Sequence, residues 1–193
     1  MQLFLARHGE TGAHYAGRYI GATDLPLSTT GREQARRLAS VIPRGVTRCL
    51  CSPMLRARET AELALAGHDC RLEILESLRE ISFGRWEGLS FAEIASQDQG
   101  LVVEWQQDAL AFHFPEGEHT LGFLQRVQKA LRAIVALPEE RVLVICHGGV
   151  IRAMLCALLD LPFEKYLLFE IKPAALTLLD VDGPRGVLQY LNV

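Results

Sequence analysis

Two histidines stand at matching places in the chain, each just after a short apolar run and just before a glycine. His8 follows the run 3–6 through a single arginine, and His147 follows the run 142–146 directly. One imidazole can act as a nucleophile, and a second can donate a hydrogen bond to the group under attack. The glycines let a ligand approach the backbone, and amides that open a helix after His147 attract anions. The pattern predicts an anion-binding catalytic site; the alternative is a pair of structural histidines.

The segment 52–60 follows another apolar run and begins a predicted helix that carries Arg56 and Arg58. Residues two apart on a helix point about 200° apart, so only one of these arginines can face a pocket. Cations are unfavourable near a helix N-terminus, whereas a guanidinium there can clamp a phosphate with two hydrogen bonds. The sequence leaves open whether the segment forms such a clamp or an exposed basic face.

A further segment, 78–88, places two carboxylates among aromatic residues and glycines. A carboxyl in an apolar setting keeps its proton more readily, which suits a general acid. Glu80 lies nearer to the preceding strand, and we expect it to be that acid. Glu87 can equally serve to staple the loop.

Alternating strand and helix patterns connect these groups and predict a three-layer α/β/α fold with a mostly parallel central sheet. Predicted strands cover 3–6, 49–51, 71–75, 142–146, 176–181 and 187–191, and predicted helices cover 32–41, 54–65, 121–137, 150–159 and a segment that starts at Ser90. Loops at the carboxyl ends of strands build the site in such folds, so the loops 9–28, 76–88 and 112–119 are expected to surround it.

Two of these helices carry sequence signals at their starts. Thr30 and Glu33 have the spacing of a capping box. Ser52 is followed by a proline, which is typical of a capping residue before the first helical position. We therefore expect Thr30 and Ser52 to cap the helices that follow them.

The chain has 193 residues, for which we expect one domain spanning 1–193. Its net charge of −3 excludes a generally basic nucleic-acid binder. No segment reaches the ~20 apolar residues of a membrane helix, and the first residues lack a signal-peptide pattern. Five cysteines without a C-x-x-C motif favour a reducing compartment, so we expect a cytoplasmic protein. His68, His113 and His119 have no compact metal-binding spacing, so no metal is expected.

The residues singled out above occur in a known order: the motif Arg7-His8-Gly9-Glu10-Thr11, then Arg56, Glu80 and His147-Gly148. Over nearly the whole chain this order resembles the histidine phosphatase superfamily, which includes cofactor-dependent phosphoglycerate mutase. The resemblance implies a phosphoglycerate mutase-like fold and a transiently phosphorylated histidine, which is His8 here. It implies that Arg7, Arg56 and His147 bind the transferring phosphoryl group and that Glu80 gives a proton to the leaving oxygen. The Gly148 amide adds a donor for phosphate.

The segments 17–31, 79–88 and 114–118 are similar to those of the α-ribazole phosphatase group of cobalamin biosynthesis. Many members of the superfamily have a phosphate-binding Asn three residues after the motif's threonine, and His14 stands there in this chain. An imidazole N–H can still donate to phosphate, so His14 is included among the expected phosphate-binding residues. A later Gly-Glu-Ser of many small members is Gly-Glu-His here, and both departures leave the substrate open.

The resemblance favours a phosphomonoesterase that hydrolyses a small organic phosphate, such as α-ribazole 5′-phosphate, through phosphohistidine and without a metal or cofactor. Two alternatives stay open: a mutase that returns the phosphoryl group to the product, and a non-catalytic domain that binds a phosphorylated ligand. The expected partner is a small-molecule phosphate monoester rather than nucleic acid or membrane. The sequence does not decide whether the chain forms a homodimer.

Overall fold

The computed structural model describes residues 1–193 and contains one six-stranded sheet. The strands are β1 (Gln2–Arg7), β2 (Arg48–Cys51), β3 (Arg71–Ile74), β4 (Arg141–Cys146), β5 (Leu176–Asp182) and β6 (Arg185–Tyr190). Their order across the sheet is β3-β2-β4-β1-β5-β6, in which the first four strands are parallel and the last two are antiparallel to their neighbours. The prediction of a mostly parallel sheet is confirmed.

The central strands β1 and β4 are apolar on both faces because helices cover both sides of the sheet. Side chains alternate between the two layers, so Leu3 and Leu5 belong to one hydrophobic cluster while Phe4 and Ala6 belong to the other. The larger cluster, with 28 buried residues, lies on one face of the sheet, and the smaller, with 14, lies on the other. The architecture therefore has three layers, α/β/α.

Six α-helices fill the outer layers. They are α1 (Thr29–Leu38), α2 (Leu55–Ala64), α3 (Phe91–Gln97), α4 (Gln99–Gln107), α5 (Thr120–Val135) and α6 (Gly148–Leu158). Buried residues of α1 and α2 belong to the smaller cluster, whereas those of α5 and α6 belong to the larger one. No helix is long and apolar enough to cross a membrane.

The caps predicted at Thr30 and Ser52 were wrong, whereas the helix start predicted at Ser90 is confirmed, because Ser90 caps α3 in a capping box with Glu93. Helix α1 begins at Thr29, because the Ser28 hydroxyl accepts the Gly31 N–H at 2.9 Å and occupies the capping role expected of Thr30. Helix α2 begins at Leu55, whose N–H donates to the Asp24 carboxylate at 2.7 Å. A distant side chain therefore caps α2, and the Ser52 hydroxyl is used elsewhere.

Candidate active site

The parallel pairing of β1 with β4 brings the two histidines together. Arg7 lies opposite Cys146 in the sheet, and the backbone N–H of His8 donates to the Cys146 carbonyl at 3.0 Å. The two imidazole rings that follow have centroids 5.2 Å apart and planes tilted by 60°. Both rings are buried, and His147 is completely so.

The proton of the His8 ring can be assigned from its neighbours. Nδ1 lies 2.7 Å from the Gly9 carbonyl oxygen, which can only accept, so Nδ1 carries the proton. Nε2 is then the unprotonated nitrogen, and it accepts from Nε of Arg56 at 3.3 Å. Burial and the charges of Arg56 and Arg7 hold the pKa of His8 well below its ordinary value. The lone pair of Nε2 is therefore available to attack an electrophile at neutral pH.

Arg56 is buried and held at fixed positions on three sides. Besides contacting His8, it donates to the carbonyls of Thr23 and Gly21, both at 2.8 Å. Burial lowers its pKa, against the opposing pull of Glu80. Arg58 is exposed on the other side of α2, so the expectation that only Arg56 faces inward is confirmed.

Glu87 holds the same loop from its other side. Its carboxylate accepts from the N–H groups of Gly21, Ala22, Thr23 and Phe83 and from the Thr23 hydroxyl. The loop 21–23 is thus clamped between one guanidinium on its carbonyls and one carboxylate on its amides. Glu87 is the loop staple of the two carboxylates.

Glu80 is the carboxylate that lines the same cavity as His8. Its Oε2 accepts from the Gly149 N–H at 2.9 Å and its Oε1 from the Ile81 N–H at 3.1 Å. Burial raises the pKa of Glu80, although the two amide bonds and the charges of Arg56 and Arg7 oppose that rise. A Cβ on residue 149 would overlap the Glu80 carboxyl, so a larger residue there would displace Glu80 from its present position.

Two buried nitrogen atoms in this site have no partner within the protein. Nε of Arg7 and Nδ1 of His147 are both shielded from solvent and form no hydrogen bond. Buried polar groups are normally paired, and unpaired ones point to a missing ligand. Burial and the nearby charge of Arg56 hold the pKa of His147 well below its ordinary value, so its ring is neutral. The unpaired guanidinium nitrogen of Arg7 can donate to an anion bound in this site.

A cavity of about 240 Å³ opens above these groups. Its walls include Arg7, His8, Arg56, Glu80 and Gly148, and His147 lies fully buried beside the His8 ring. The structure thus brings together all the residues expected to bind or transfer phosphate except one.

That exception is His14. It lies in the short helical turn Ala13–Tyr15, where its ring is exposed and packs edge-on against Tyr15 at 5.1 Å between centroids. It is not among the residues that line the cavity, whereas its neighbours Thr11 and Tyr15 are.

Sequence reasoning missed a second, larger cavity of about 650 Å³ that shares a wall with the first. Most of its lining is apolar, with aromatic side chains that include Tyr19, Phe83, Trp105 and Tyr166. Arg152 lines both cavities, and its Nε donates to the Phe169 carbonyl at 2.9 Å. Arg152 follows His147 by five residues, and this short separation along the chain is the sequence signal that could have indicated that Arg152 lies near the site.

A neutral imidazole with an unprotonated Nε2, arginines around an anion-sized cavity and a carboxyl with a raised pKa define an enzyme of phosphoryl transfer. The family model of the histidine phosphatase superfamily (branch 1) matches residues 3–193. The chain belongs to this superfamily.

Relatives extend over the whole chain. It is 31% identical to an adenosylcobalamin/α-ribazole phosphatase of Salmonella typhimurium, covering 100% of this chain and 96% of that one. The crystal structure of the α-ribazole phosphatase from Shigella flexneri matches with a TM-score of 0.88 and 29% identity, over 100% of this chain and 96% of the other. A mycobacterial glucosyl-3-phosphoglycerate phosphatase matches with a TM-score of 0.84 and 27% identity, over 100% and 98%. These similarities confirm the phosphoglycerate mutase-like fold and the phosphatase class expected from the sequence.

Proposed function

We propose that this chain hydrolyses α-ribazole 5′-phosphate, with His8 as the nucleophile that carries the phosphoryl group between two half-reactions. One observation carries the assignment of His8: its Nε2 is the unprotonated ring nitrogen, and Arg56 contacts it at the edge of the small cavity. The relatives named as α-ribazole phosphatases support the substrate.

In the first half-reaction, Nε2 of His8 forms a bond to phosphorus while the bond to the ester oxygen breaks. Arg7 and Arg56 neutralise the phosphoryl charge through charge-assisted hydrogen bonds, and the Gly148 amide adds a donor at the N-terminus of α6. Glu80 transfers its proton to the departing oxygen, so the product leaves as a neutral alcohol. The phosphoryl group remains on His8.

In the second half-reaction, the oxygen of a water molecule bonds to phosphorus. At the same time the Glu80 carboxylate takes a proton from that water. The phosphorus–Nε2 bond breaks and inorganic phosphate leaves. His8 returns to its neutral form with the proton still on Nδ1, where the Gly9 carbonyl holds it. Glu80 regains its proton, and no other reactant is needed.

The larger cavity supports a bulky, uncharged leaving group. Its aromatic walls suit a flat ring, because aromatic surfaces stack favourably on one another. Apart from Glu80, its charged residues are Arg152, Asp108 and Glu164, one positive and two negative. A carboxylate leaving group such as glycerate gains less there than a neutral ring joined to a sugar.

A substrate panel tests this function. α-Ribazole 5′-phosphate is expected to have a higher kcat/KM than 3-phosphoglycerate and p-nitrophenyl phosphate, and quenched turnover is expected to leave acid-labile, base-stable phosphate on His8. His8→Ala removes both the turnover and the label. His14→Ala is the matched control, because it deletes a nearby imidazole that lies outside the cavity, and its activity is expected to stay within about twofold.

Three outcomes contradict the proposal. A preference for 3-phosphoglycerate would refute the substrate, and activity in His8→Ala would refute the nucleophile. A phosphoenzyme that resists water but passes its phosphoryl group to glycerate would identify a mutase.

The location and assembly of the protein are also inferences. All five cysteines are free thiols, and four are buried, which supports the reducing cytoplasm as its compartment. The net charge of −3 favours a small phosphate ester over nucleic acid as partner. A homodimer stays a prediction that light scattering of the purified chain tests.

A further inference from the structure

We propose that Ser52 is a positioning residue that fixes the His147 ring in the tautomer with its proton on Nδ1. In that tautomer His147 donates Nδ1–H to the phosphoryl group on His8. The identity of the acceptor rests on the proposed function, whereas the tautomer is a property of the free protein.

The hydrogen-bond partners of Ser52 determine which way its hydroxyl points. Ser52 is completely buried, and its Oγ lies 2.7 Å from Nε2 of His147. The same oxygen accepts the Met54 N–H at 3.3 Å. Met54 N–H is a donor, so the hydroxyl proton of Ser52 has one acceptor within reach, the Nε2 lone pair.

The opposite arrangement leaves two groups unsatisfied. If Nε2 carried the proton and donated to Ser52, the Ser52 hydroxyl would have no acceptor in this buried position. Nδ1 would then present a lone pair to the anion site, where it would repel a phosphoryl oxygen. The proton on Nδ1 satisfies Ser52 and leaves one unpaired donor, at the end of β4, while the neighbouring strand β1 ends with the other unpaired donor, Nε of Arg7. Two donors at one edge of the sheet can bind one anion.

The sheet holds Ser52 in place for this contact. Its N–H donates to the Ile145 carbonyl at 3.0 Å, so the end of β2 is tied to the end of β4 just before His147. Asp24 caps the first N–H of α2. The Ser52 side chain is therefore free of the capping role that its place in the sequence suggests.

Nitrogen-15 NMR of the free wild-type protein gives the first test. A long-range proton–nitrogen correlation spectrum distinguishes the two neutral imidazole tautomers, and the signals of His147 are those that disappear in His147→Gln. We expect the form with the proton on Nδ1. The Nε2–H form would overturn the proposal and leave the phosphatase assignment untouched, because the measurement needs no turnover.

Variants of Ser52 give the second test. Removing one preorganised donor from an active site costs about 10²–10³-fold in rate. Ser52→Ala keeps the His147 ring and removes only its bias toward the donating tautomer. The expected loss in kcat is therefore smaller, about 10- to 100-fold. The Nε2–H tautomer is expected to appear in its spectrum. Ser52→Thr keeps the hydroxyl and is expected to restore the Nδ1–H form.

Thr177→Val is the matched control, since it also deletes a completely buried hydroxyl but on β5, and neither kcat nor the His147 tautomer is expected to change. If Ser52→Ala lost activity while His147 kept its proton on Nδ1, Ser52 would act through packing and the proposal would be wrong. Wild-type kcat in Ser52→Ala would be equally decisive against it.

Discussion

Replacing Glu80 with glutamine removes one transferable proton while keeping the length and shape of the side chain. The substitution also changes a hydrogen-bond pattern that the structure makes explicit. Each carboxylate oxygen of Glu80 accepts one backbone N–H, from Gly149 and from Ile81. Glutamine offers one oxygen and one NH₂ group, so one of these amides would face another donor.

The lost hydrogen bond and the missing proton are detected by different measurements. An unmade hydrogen bond to a buried donor costs about 1–3 kcal/mol of stability, which lowers Tm by roughly 2–12 °C in a chain of this size. The missing proton acts on the rate of bond breaking to the leaving group. General-acid catalysis contributes about 10²–10⁴-fold, and an alkoxide leaving group needs all of it. p-Nitrophenolate leaves without a proton, so Glu80→Gln is expected to spare it.

The assay is a single-turnover measurement of phosphohistidine formation by rapid quench. Steady-state rates are unsuitable because Glu80 is also the base of the second half-reaction in the proposed mechanism, so these rates are expected to fall for both substrates. In Glu80→Gln, the burst with an alkyl phosphate is expected to slow by about 10²–10⁴-fold and the burst with p-nitrophenyl phosphate by much less. Glu87→Gln is the control, because it makes the same chemical change at a carboxylate that only staples the loop.

Equal slowing of both bursts in Glu80→Gln would refute the reasoning. Glu80 would then position the substrate or the N-terminus of α6 instead of donating a proton. A substrate-dependent loss in Glu87→Gln and none in Glu80→Gln would assign the acid to Glu87.

Two further predictions concern the cations and the imidazoles. Arg56→Ala is expected to lower kcat/KM by about 10²–10³-fold. Arg58→Ala removes an exposed guanidinium from the same helix, and its kcat/KM is expected to stay within about twofold of the wild-type value. Similar small losses at both positions would mean that α2 only presents a basic face. The pKa values of His8 and His147 lie well below 6.5 in the folded chain, so the unfolded chain binds more protons below that pH. Urea denaturation is therefore expected to show that the free energy of unfolding falls as the pH drops below 6.5, by up to about 1.4 kcal/mol per pH unit for each histidine. If this dependence on pH were the same in His147→Gln as in the wild type, the buried histidines would not be its origin.

The parts of the site that sequence patterns predicted correctly are those fixed by strand ends. His8 and His147 follow buried parallel strands, and neighbouring parallel strands end at one edge of the sheet, so their meeting follows from the alternation of elements. Helical geometry put Arg56 and Arg58 on different sides of their helix, and the resemblance to the family indicated which of them faces the site. The meeting of the histidines and the separation of the arginines both follow from local periodicity, which the sequence records directly.

The parts that were missed depend on contacts between distant segments. Ser52 has the local signature of a helix cap, but the role is taken by Asp24, which lies 31 positions before Leu55 and has no such signature. His14 sits at a position associated with phosphate binding, yet a turn of three residues directs its ring to solvent. The larger cavity is formed by residues from 19 to 167, so no local pattern could outline it.

The environment of Glu80 explains how one carboxyl can serve both half-reactions. Burial raises the pKa of Glu80, which favours the protonated form that the proposed acid step needs. Once the proton has gone, the carboxylate is the form that the Gly149 and Ile81 amides and the two arginines stabilise, so it persists long enough to activate water. A more apolar site would make Glu80 a poor base, and a site with more donors would make it a poor acid. Because these influences oppose each other, a variant that removes only the Arg7 charge shifts Glu80 toward its acid form and is expected to slow the hydrolysis of phosphohistidine more than its formation from p-nitrophenyl phosphate.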